Sequence, residues 1–257
     1  MEIRILGAHN VESATTRMTS LLIDGILAVD AGALTSSLSL SEQGKVNSIF
    51  LTHCHYDHIK DVAAMGLNSS YFQKTTHVYS QATTLEAISA NLLNGVIYPN
   101  FTKALSENKP SLEFHTIQPF IAETIDGYRV IGLPVDHAVP TVAYEISSPE
   151  GQSFLFSGDT GPGLSRCWDH ISPQLLIVDV TLPSRFEKQA VRTGHLTPNL
   201  LAEELKAFHN SKGYLPSVAC IHVSPMFEEE IGEEAQRIGK DLELDISLCY
   251  EGMVITI

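Results

Sequence analysis

Short apolar runs rich in β-branched residues recur along the chain, and between them lie segments with helical periodicity. Each apolar run has about four to six residues and is bounded by Gly, Pro, Asp or Ser, which is typical of β-strands. Helical periodicity covers residues 81–93, 198–209 and 229–239, and Thr197 and Pro198 suit the N-cap and first turn of the second of these helices. The predicted strands are residues 2–6, 19–23, 26–30, 48–52, 77–80, 130–135, 141–146, 153–157, 175–180, 218–222, 247–250 and 253–257.

The composition supports one large folded domain. The chain has 257 residues, of which 44% are hydrophobic and 18% charged, so it can bury a sizeable core and is not globally disordered. It contains no low-complexity linker and no internal repeat, and we therefore expect a single domain over residues 1–257. Periodicity alone does not separate a doubly wound sheet from a four-layer αββα sandwich, and the motifs below favour the sandwich.

The charge and the cysteines bear on partners and compartment. Lys and Arg number 16 against 30 Asp and Glu, and a net charge of −14 argues against binding to nucleic acid or anionic membranes. No signal peptide and no run of about 18 apolar residues is visible, so no membrane span is expected. The four scattered cysteines form no disulfide framework, which favours reduced thiols and a cytoplasmic protein.

Potential metal ligands are concentrated between residues 53 and 58, directly after a predicted strand. His53 and His55 are two positions apart, so an extended backbone turns both imidazoles to the same side. Asp57 and His58 lie on the following turn, where a helix is expected to open at Ile59, and they can reach a second ion nearby. Imidazoles with a carboxylate suit zinc, and also iron or manganese. A chance polar cluster is the alternative, but four potential ligands in six positions disfavour it.

Three further candidates stand at the ends of predicted strands, where loops present chemistry on a rigid scaffold. His137 follows the strand at 130–135, Asp159 follows the strand at 153–157, and His222 closes the strand at 218–222. Any one of them alone would more often be structural. Together with the first cluster they complete two three-residue sites and a bridge.

These motifs resemble those of the metallo-β-lactamase superfamily. Asp30, in the segment Val-Asp-Ala-Gly, is similar to the first motif of that superfamily, whose aspartate supports the ligand loop without binding metal. The resemblance implies an αββα sandwich with a site for two divalent ions at one edge, zinc being favoured and manganese or iron the alternatives. The implied ligands are His53, His55 and His137 for one ion, Asp57, His58 and His222 for the other, and Asp159 as the bridge.

Two more segments resemble class II cyclic-nucleotide phosphodiesterases. The segment at residues 91–101 resembles their Phe-Asn-x-x-Ile-Trp-Pro-x-Phe motif, with Tyr98 in place of the tryptophan, and residues 194–198 resemble their Gly-His-Leu-Thr-Pro motif. Tyr56 and Asp61 stand where that family usually has Leu and Gly. An aromatic ring at Tyr98 can stack on a purine base, and simple core packing is the alternative.

His195 precedes the predicted helix N-terminus at Thr197, a position that favours anions. In phosphodiesterases of the superfamily a histidine here serves the scissile phosphate or the leaving group, with an acidic partner upstream. Asp179 fits that place, so we predict an Asp179–His195 pair and count Asp57, His195 and Asp179 as catalytic. A capping histidine without chemistry is the alternative. The other histidines (His9, His77, His115, His170 and His209) have no partner in the sequence and are expected to be surface or core residues.

The resemblance therefore implies hydrolysis of 3′,5′-cyclic nucleotides, cAMP or cGMP, to nucleoside 5′-monophosphates. The expected partner is a small cyclic nucleotide, with no nucleic acid or membrane, and a homodimer stays open. One alternative is an endonuclease that processes transfer-RNA 3′ ends, although the chain has no Gly/Lys/Arg-rich arm for RNA. Others are a hydrolase for sulfate esters or lactones, and a metal-binding scaffold or cyclic-nucleotide sensor without turnover.

Overall fold

The computed structural model describes residues 1–103 and 109–257, and it contains two mixed seven-stranded sheets in that part of the chain. The first sheet has the order β14-β1-β2-β3-β4-β5-β6 and consists of β1 (Glu2–Gly7), β2 (Ser20–Ile23), β3 (Leu27–Val29), β4 (Ser48–Phe50), β5 (Thr76–Ser80), β6 (Leu112–Thr116) and β14 (Val254–Thr256). The second has the order β13-β12-β11-β10-β9-β8-β7 and consists of β7 (Ala122–Ile125), β8 (Tyr128–Val135), β9 (Thr141–Ser147), β10 (Ser153–Phe156), β11 (Leu175–Asp179), β12 (Ser217–Ile221) and β13 (Ile246–Leu248).

Half of each sheet is parallel. Strands β3 to β6 pair in parallel in the first sheet, as do β10 to β13 in the second, and the remaining pairs are antiparallel. Parallel neighbours end at the same edge of a sheet, so the loops that follow β4, β10, β11 and β12 are brought to common edges. The loops that follow β4, β10 and β12 carry all of the candidate ligands except His137, which follows β8.

The helices cover the outer faces of the sheets. They are α1 (Leu34–Ser37), α2 (Leu40–Gln43), α3 (Tyr56–Ile59), α4 (Val62–Tyr71), α5 (Ala82–Asn91), α6 (Glu187–Thr193), α7 (Pro198–Lys212) and α8 (Glu228–Leu242). Thr197 caps α7, because its side chain accepts a hydrogen bond from the Leu200 amide, and Pro198 occupies the first turn as predicted. Within the described ranges, none of these helices is both long enough and apolar enough to span a bilayer.

Three apolar clusters define the layers. Neighbouring strand residues alternate between clusters, as the two-residue repeat of a strand requires: Phe50 packs between the sheets, whereas Ile49 packs against the helices of the first sheet. In the second sheet, Ile177 faces the inter-sheet core and Leu176 faces the cluster that contains Phe208 of α7. The predicted four-layer αββα sandwich is confirmed.

The structure corrects the prediction at several elements. The helix expected to open at Ile59 is instead α3, which begins at Tyr56 and ends at Ile59, and α4 begins separately at Val62. Helix α4 was not predicted because its buried face includes Gly66 and Ser69, whereas Leu67 and Tyr71 lie outside that face, which weakens the apolar period. Strands β6 and β7 were also missed, since both are sheet-edge strands with exposed polar positions. His222 lies just beyond β12, not within it.

Candidate metal centre

The first donor set contains three imidazoles. His55 Nδ1 lies 3.0 Å from His53 Nε2 and 3.2 Å from His137 Nε2. The carboxylate oxygen Oδ2 of Asp159 lies 3.7 Å from His53 Nε2 and 3.6 Å from His137 Nε2. Ligands bound tetrahedrally at about 2.0–2.1 Å are separated by about 3.4 Å, so these four donors have the spacing of a zinc-type site.

The second donor set uses the other oxygen of the same aspartate. Asp159 Oδ1 lies 3.2 Å from His58 Nε2 and 3.4 Å from His222 Nε2. Asp57 Oδ2 lies 3.4 Å from His58 Nε2 and 3.2 Å from His222 Nε2. The spacing again suits a single ion, and Asp159 has one oxygen in each set, which is the arrangement expected of a bridge.

Two buried atoms of the second set support a cation there. Among the described residues, neither His58 Nε2 nor Asp159 Oδ1 makes a well-aligned hydrogen bond, although both atoms are buried and lie 3.2 Å apart. Leaving a buried polar atom unpaired costs about 1–3 kcal/mol, and more for a charged group. A divalent ion would satisfy both atoms at once, so the residues fit the cofactor that the superfamily motifs imply.

Opposite charges in the second donor set shift the pKa values of its residues. Burial alone would lower the pKa of His222, but the Asp159 and Asp57 carboxylates outweigh it and raise the pKa to about 10. The same balance raises the pKa of His58 well above its ordinary value, with Asp159 and Asp30 as the opposing charges. Burial would raise the pKa of Asp159, yet His222 and His58 hold it well below its usual range. Metal binding must therefore displace protons from the second set.

A buried aspartate orients ligands of both sets from behind. Asp30 is completely buried and accepts hydrogen bonds from the Thr52 amide at 2.8 Å and from His58 Nδ1 at 2.7 Å. Thr52 Oγ1 lies 2.9 Å from His53 Nδ1 and donates to the Asp30 carboxylate. With Nε2 of His53 and of His58 turned to the ion, Nδ1 of each of these two rings carries the proton and makes these contacts. Asp30 is thus placed as a support of the ligand loop.

A second relay of the same form contains Thr181, which the sequence analysis did not identify. Thr181 Oγ1 donates to Asp179 Oδ1 at 2.6 Å and lies 2.8 Å from His222 Nδ1. Asp179 is completely buried and also accepts the Thr160 amide. A signal existed in the sequence, since Asp179 and Thr181 are two apart at a strand end and so turn to one side.

The Asp179–His195 hydrogen bond is present, 2.8 Å from Nδ1 to Oδ2. The His195 ring stacks on the His222 ring at 5.2 Å and lies 5.1 Å from the His137 ring. Burial opposes protonation of His195, but the Asp179 carboxylate outweighs it and raises its pKa. Among the described residues, His195 Nε2 has no hydrogen-bond partner, so that nitrogen is available to a ligand beside the two donor sets.

Unusual backbone conformations allow the close packing of the site. Asp30 and His222 both have left-handed φ values, +56° and +60°, which non-glycine residues adopt at a cost of about 1–3 kcal/mol. Gly194 also has a positive φ of +72°, and a Cβ there would lie 2.8 Å from His137. His137 Nδ1 donates to the Gly194 carbonyl at 2.8 Å, which leaves Nε2 for the first donor set.

Tyr98 is placed apart from these groups. Its ring lies 5.9 Å from that of Phe101, and both pack against the helix-side core of the first sheet. No contact among the described residues joins Tyr98 to the donor sets. Base stacking by Tyr98 stays a prediction.

The structure contains four free cysteines, which are Cys54, Cys167, Cys220 and Cys249.

Comparisons with known proteins agree with this arrangement. Residues 19–216 match the family model described as the beta-lactamase superfamily domain. A probable 3′,5′-cyclic-nucleotide phosphodiesterase of Yersinia pestis is 24% identical over 257 residues, which cover 86% of this chain and 73% of that protein. A ribonuclease Z of Methanocaldococcus jannaschii is 29% identical over 110 residues, covering 41% of this chain and 33% of that protein. The structure of unliganded yeast PDE1 superposes with a TM-score of 0.84 at 18% identity, over 100% of this chain and 99% of that chain, a likeness of fold.

Proposed function

Because the chain belongs to the metallo-β-lactamase superfamily of hydrolases, we propose that it hydrolyses 3′,5′-cyclic nucleotides, cAMP or cGMP, to nucleoside 5′-monophosphates. We propose further that residues 1–257 act as one domain with two divalent ions, zinc being favoured by the imidazole-rich donor sets. Manganese and iron remain the alternatives. The name of the Yersinia pestis relative, which this chain matches over most of its length, supports the substrate class.

The observation that carries the proposal is the pair formed by the buried Asp179 and the partly exposed His195 beside the donor sets. Asp179 fixes the proton of His195 on Nδ1 and stabilises the imidazolium form, so a second proton can be held on Nε2. From Nε2 the proton passes to the departing ribose oxygen when the ester bond breaks. Bound divalent ions would supply an activated water and neutralise charge on the phosphoryl oxygens.

The charge distribution favours a small monoanion over a polyanion. The whole chain carries −14, which repels RNA far more than a cyclic nucleotide with one negative charge. Locally, Asp57 and Asp159 would only partly offset two dications, so the loaded site is positive. A cyclic phosphodiester is therefore attracted to the site without needing a basic surface.

A second candidate is cleavage of transfer-RNA precursors at their 3′ ends, favoured by the partial match to ribonuclease Z. An Asp–His pair of this kind would serve that reaction equally well. It also requires binding to a polyanion, and the sequence contains no Lys/Arg-rich arm. Sulfate esters and lactones are further substrates to be compared in the same assay.

The test is product analysis with the reconstituted protein. The metal-depleted chain is loaded with zinc or manganese and incubated with cAMP, cGMP, cyclic pyrimidine nucleotides, a transfer-RNA precursor, a sulfate ester and a lactone. We expect 5′-monophosphate from at least one purine cyclic nucleotide. Asp159→Asn should abolish it, whereas His209→Ala, which changes an exposed histidine of α7, should not. Absence of monophosphate with every cyclic nucleotide would refute the proposal, and clean 3′ cleavage of the precursor would establish the second candidate.

A further inference from the structure

A second group of metal-binding side chains lies on strands β5 and β6, away from the candidate metal centre. His77 pairs with Glu113 and Tyr79 pairs with His115 in the parallel register of these strands. Residues paired in this way share a face of the sheet. That face is turned towards the second sheet, because Tyr79 packs against the inter-sheet core and stacks on Phe50 at 4.9 Å.

The three donors have the spacing of ligands to one ion. His77 Nδ1 lies 2.9 Å from His115 Nε2 and 3.6 Å from Glu113 Oε2, and one donor atom from each residue lies within 4.8 Å of the others. These distances bracket the roughly 3.4 Å that separates tetrahedral ligands at zinc. The Tyr79 ring stacks on the His115 ring at 4.7 Å and so holds its orientation.

The local charges favour a cation. At 2.9 Å the two imidazoles cannot both be protonated, and a neutral imidazole is the form that binds metal. Burial and the neighbouring His77 lower the pKa of His115, against the pull of the Glu113 carboxylate and that of Glu123 on β7. The Glu113 side chain beside the imidazole pair adds a carboxylate to the donor set. A divalent ion would offset that charge.

The cluster is separate from the candidate metal centre. Ser48 is the partner of His77 in the β4–β5 pair, and His53 follows Ser48 by five positions. At about 3.3 Å per residue of extended chain, His77 lies roughly 16 Å from the first donor set. Among the described strands, β6 has a neighbour on its β5 side alone, so it is an edge strand.

We propose that His77, Glu113 and His115 form a third, mononuclear binding site for a divalent transition metal, which fastens the edge strand β6 to β5. Zinc is the best match to two imidazoles and one carboxylate, and the half-exposed position allows exchange with solvent. The side-chain exposure of His77 is 37% and that of Glu113 is 52%, so this site binds more weakly than the buried donor sets. It needs neither the proposed substrate nor the proposed reaction.

The experiment counts ions in the full chain. Metal-depleted protein is titrated with Zn²⁺, and bound metal is measured after equilibrium dialysis; Co²⁺ is used in parallel for its visible absorption. We expect the wild type to bind one equivalent beyond the two of the donor sets. His77→Ala and His115→Ala should each lose that equivalent, and Glu113→Gln should raise its Kd about tenfold. The third equivalent should also raise the Tm of the wild type but not that of His77→Ala.

The controls separate this site from the others. His209→Ala should retain every equivalent, and Asp159→Asn should lose metal from the donor sets while keeping the third equivalent. Hydrolytic activity at saturating zinc should be unchanged in His77→Ala. His115→Gln serves as a second variant if His115→Ala unfolds. Equal stoichiometry in the wild type and the well-folded His77 and His115 variants would overturn the proposal, since the His77–His115 contact would then be a plain hydrogen bond.

Discussion

Replacing Thr181 by valine tests the relay behind the second donor set. The substitution keeps the β-branched shape but removes the hydroxyl that donates to Asp179 at 2.6 Å and contacts His222 Nδ1 at 2.8 Å. In the variant the His222 Nδ1 proton loses its acceptor, so the ring is no longer held with Nε2 towards the ion. Thr181 is a positioning residue in this account, and the second donor set should lose affinity for metal.

Two independent ranges of measured effects give the expected loss of metal affinity in Thr181→Val. Hydrogen bonds to charged groups contribute about 1.5–3 kcal/mol. Residues that orient metal ligands typically change affinity or activity about 10–100-fold, which is about 1.4–2.8 kcal/mol at 1.4 kcal/mol per tenfold change. The ranges overlap, and we expect the Kd of the second donor set to rise about 30-fold in Thr181→Val.

The assay is a competition titration with a chromophoric chelator that resolves the two donor sets. Thr181→Ser should restore most of the affinity, because it restores the hydroxyl. Thr52→Val should instead weaken the first set through His53, so the two valine variants should differ in which set they affect. Thr193→Val, at the end of α6, is the control. A Kd within about twofold of wild type in Thr181→Val, or equal losses in the serine and valine variants, would refute the relay.

Four further outcomes follow from the same geometry. His195→Gln should lower kcat about 10²–10⁴-fold on a cyclic nucleotide, but much less on a diester with a nitrophenol leaving group. The amount of bound metal should not change. Equal losses of kcat on both substrates would exclude the role of His195 as an acid. Metal affinity of the second set should rise with pH, because Zn²⁺ must displace the proton that His222 holds with a pKa of about 10; a pH-independent Kd by calorimetry would contradict this. In the folded chain the pKa of His222 is raised above the unfolded value of about 6.5. Protonated His222 therefore contributes its full stabilisation below about pH 6.5 and loses it as the pH rises towards about 10. The Tm of the metal-depleted chain should fall over that window. Gly194→Ala should lower the free energy of unfolding by about 1–2 kcal/mol through its left-handed backbone, and by more through contact with His137. Gly213→Ala is the control, because Gly213 has a φ of +77° but open space around it, so only the backbone part should be lost. Equal Tm shifts in the two variants would refute the contact with His137.

The sequence predicted most of the fold because strands near the sheet centres carry unbroken apolar runs. Strand β11 is buried at every position and was identified from its composition alone. Edge strands lack that signal: β6 exposes Glu113 and Thr116, and its pairing with β5 is decided by tertiary contacts. Helix α4 was missed for a different reason, since its buried face includes the non-apolar residues Gly66 and Ser69 while the apolar Leu67 lies outside it.

The candidate site was predictable where residue type and spacing coincide. His53 and His55 follow a strand at a spacing of two, and the structure brings their ring nitrogens to 3.0 Å. The spacing of two between Asp179 and Thr181 is a weaker signal, because threonines are common and Thr181 acquires its role only when His222 is brought beside it. The His77–His115 contact was missed likewise, since the two residues become neighbours only through the pairing of β5 with β6.

The central claim is that two cations are held between four separate loops, and anomalous diffraction from crystals grown with zinc tests it most directly. The account predicts two adjacent zinc peaks at the sheet edge, with Asp159 between them. One peak should contact His53, His55 and His137, and the other Asp57, His58 and His222. A single peak, or none, with these side chains turned away from one another, would contradict the claim.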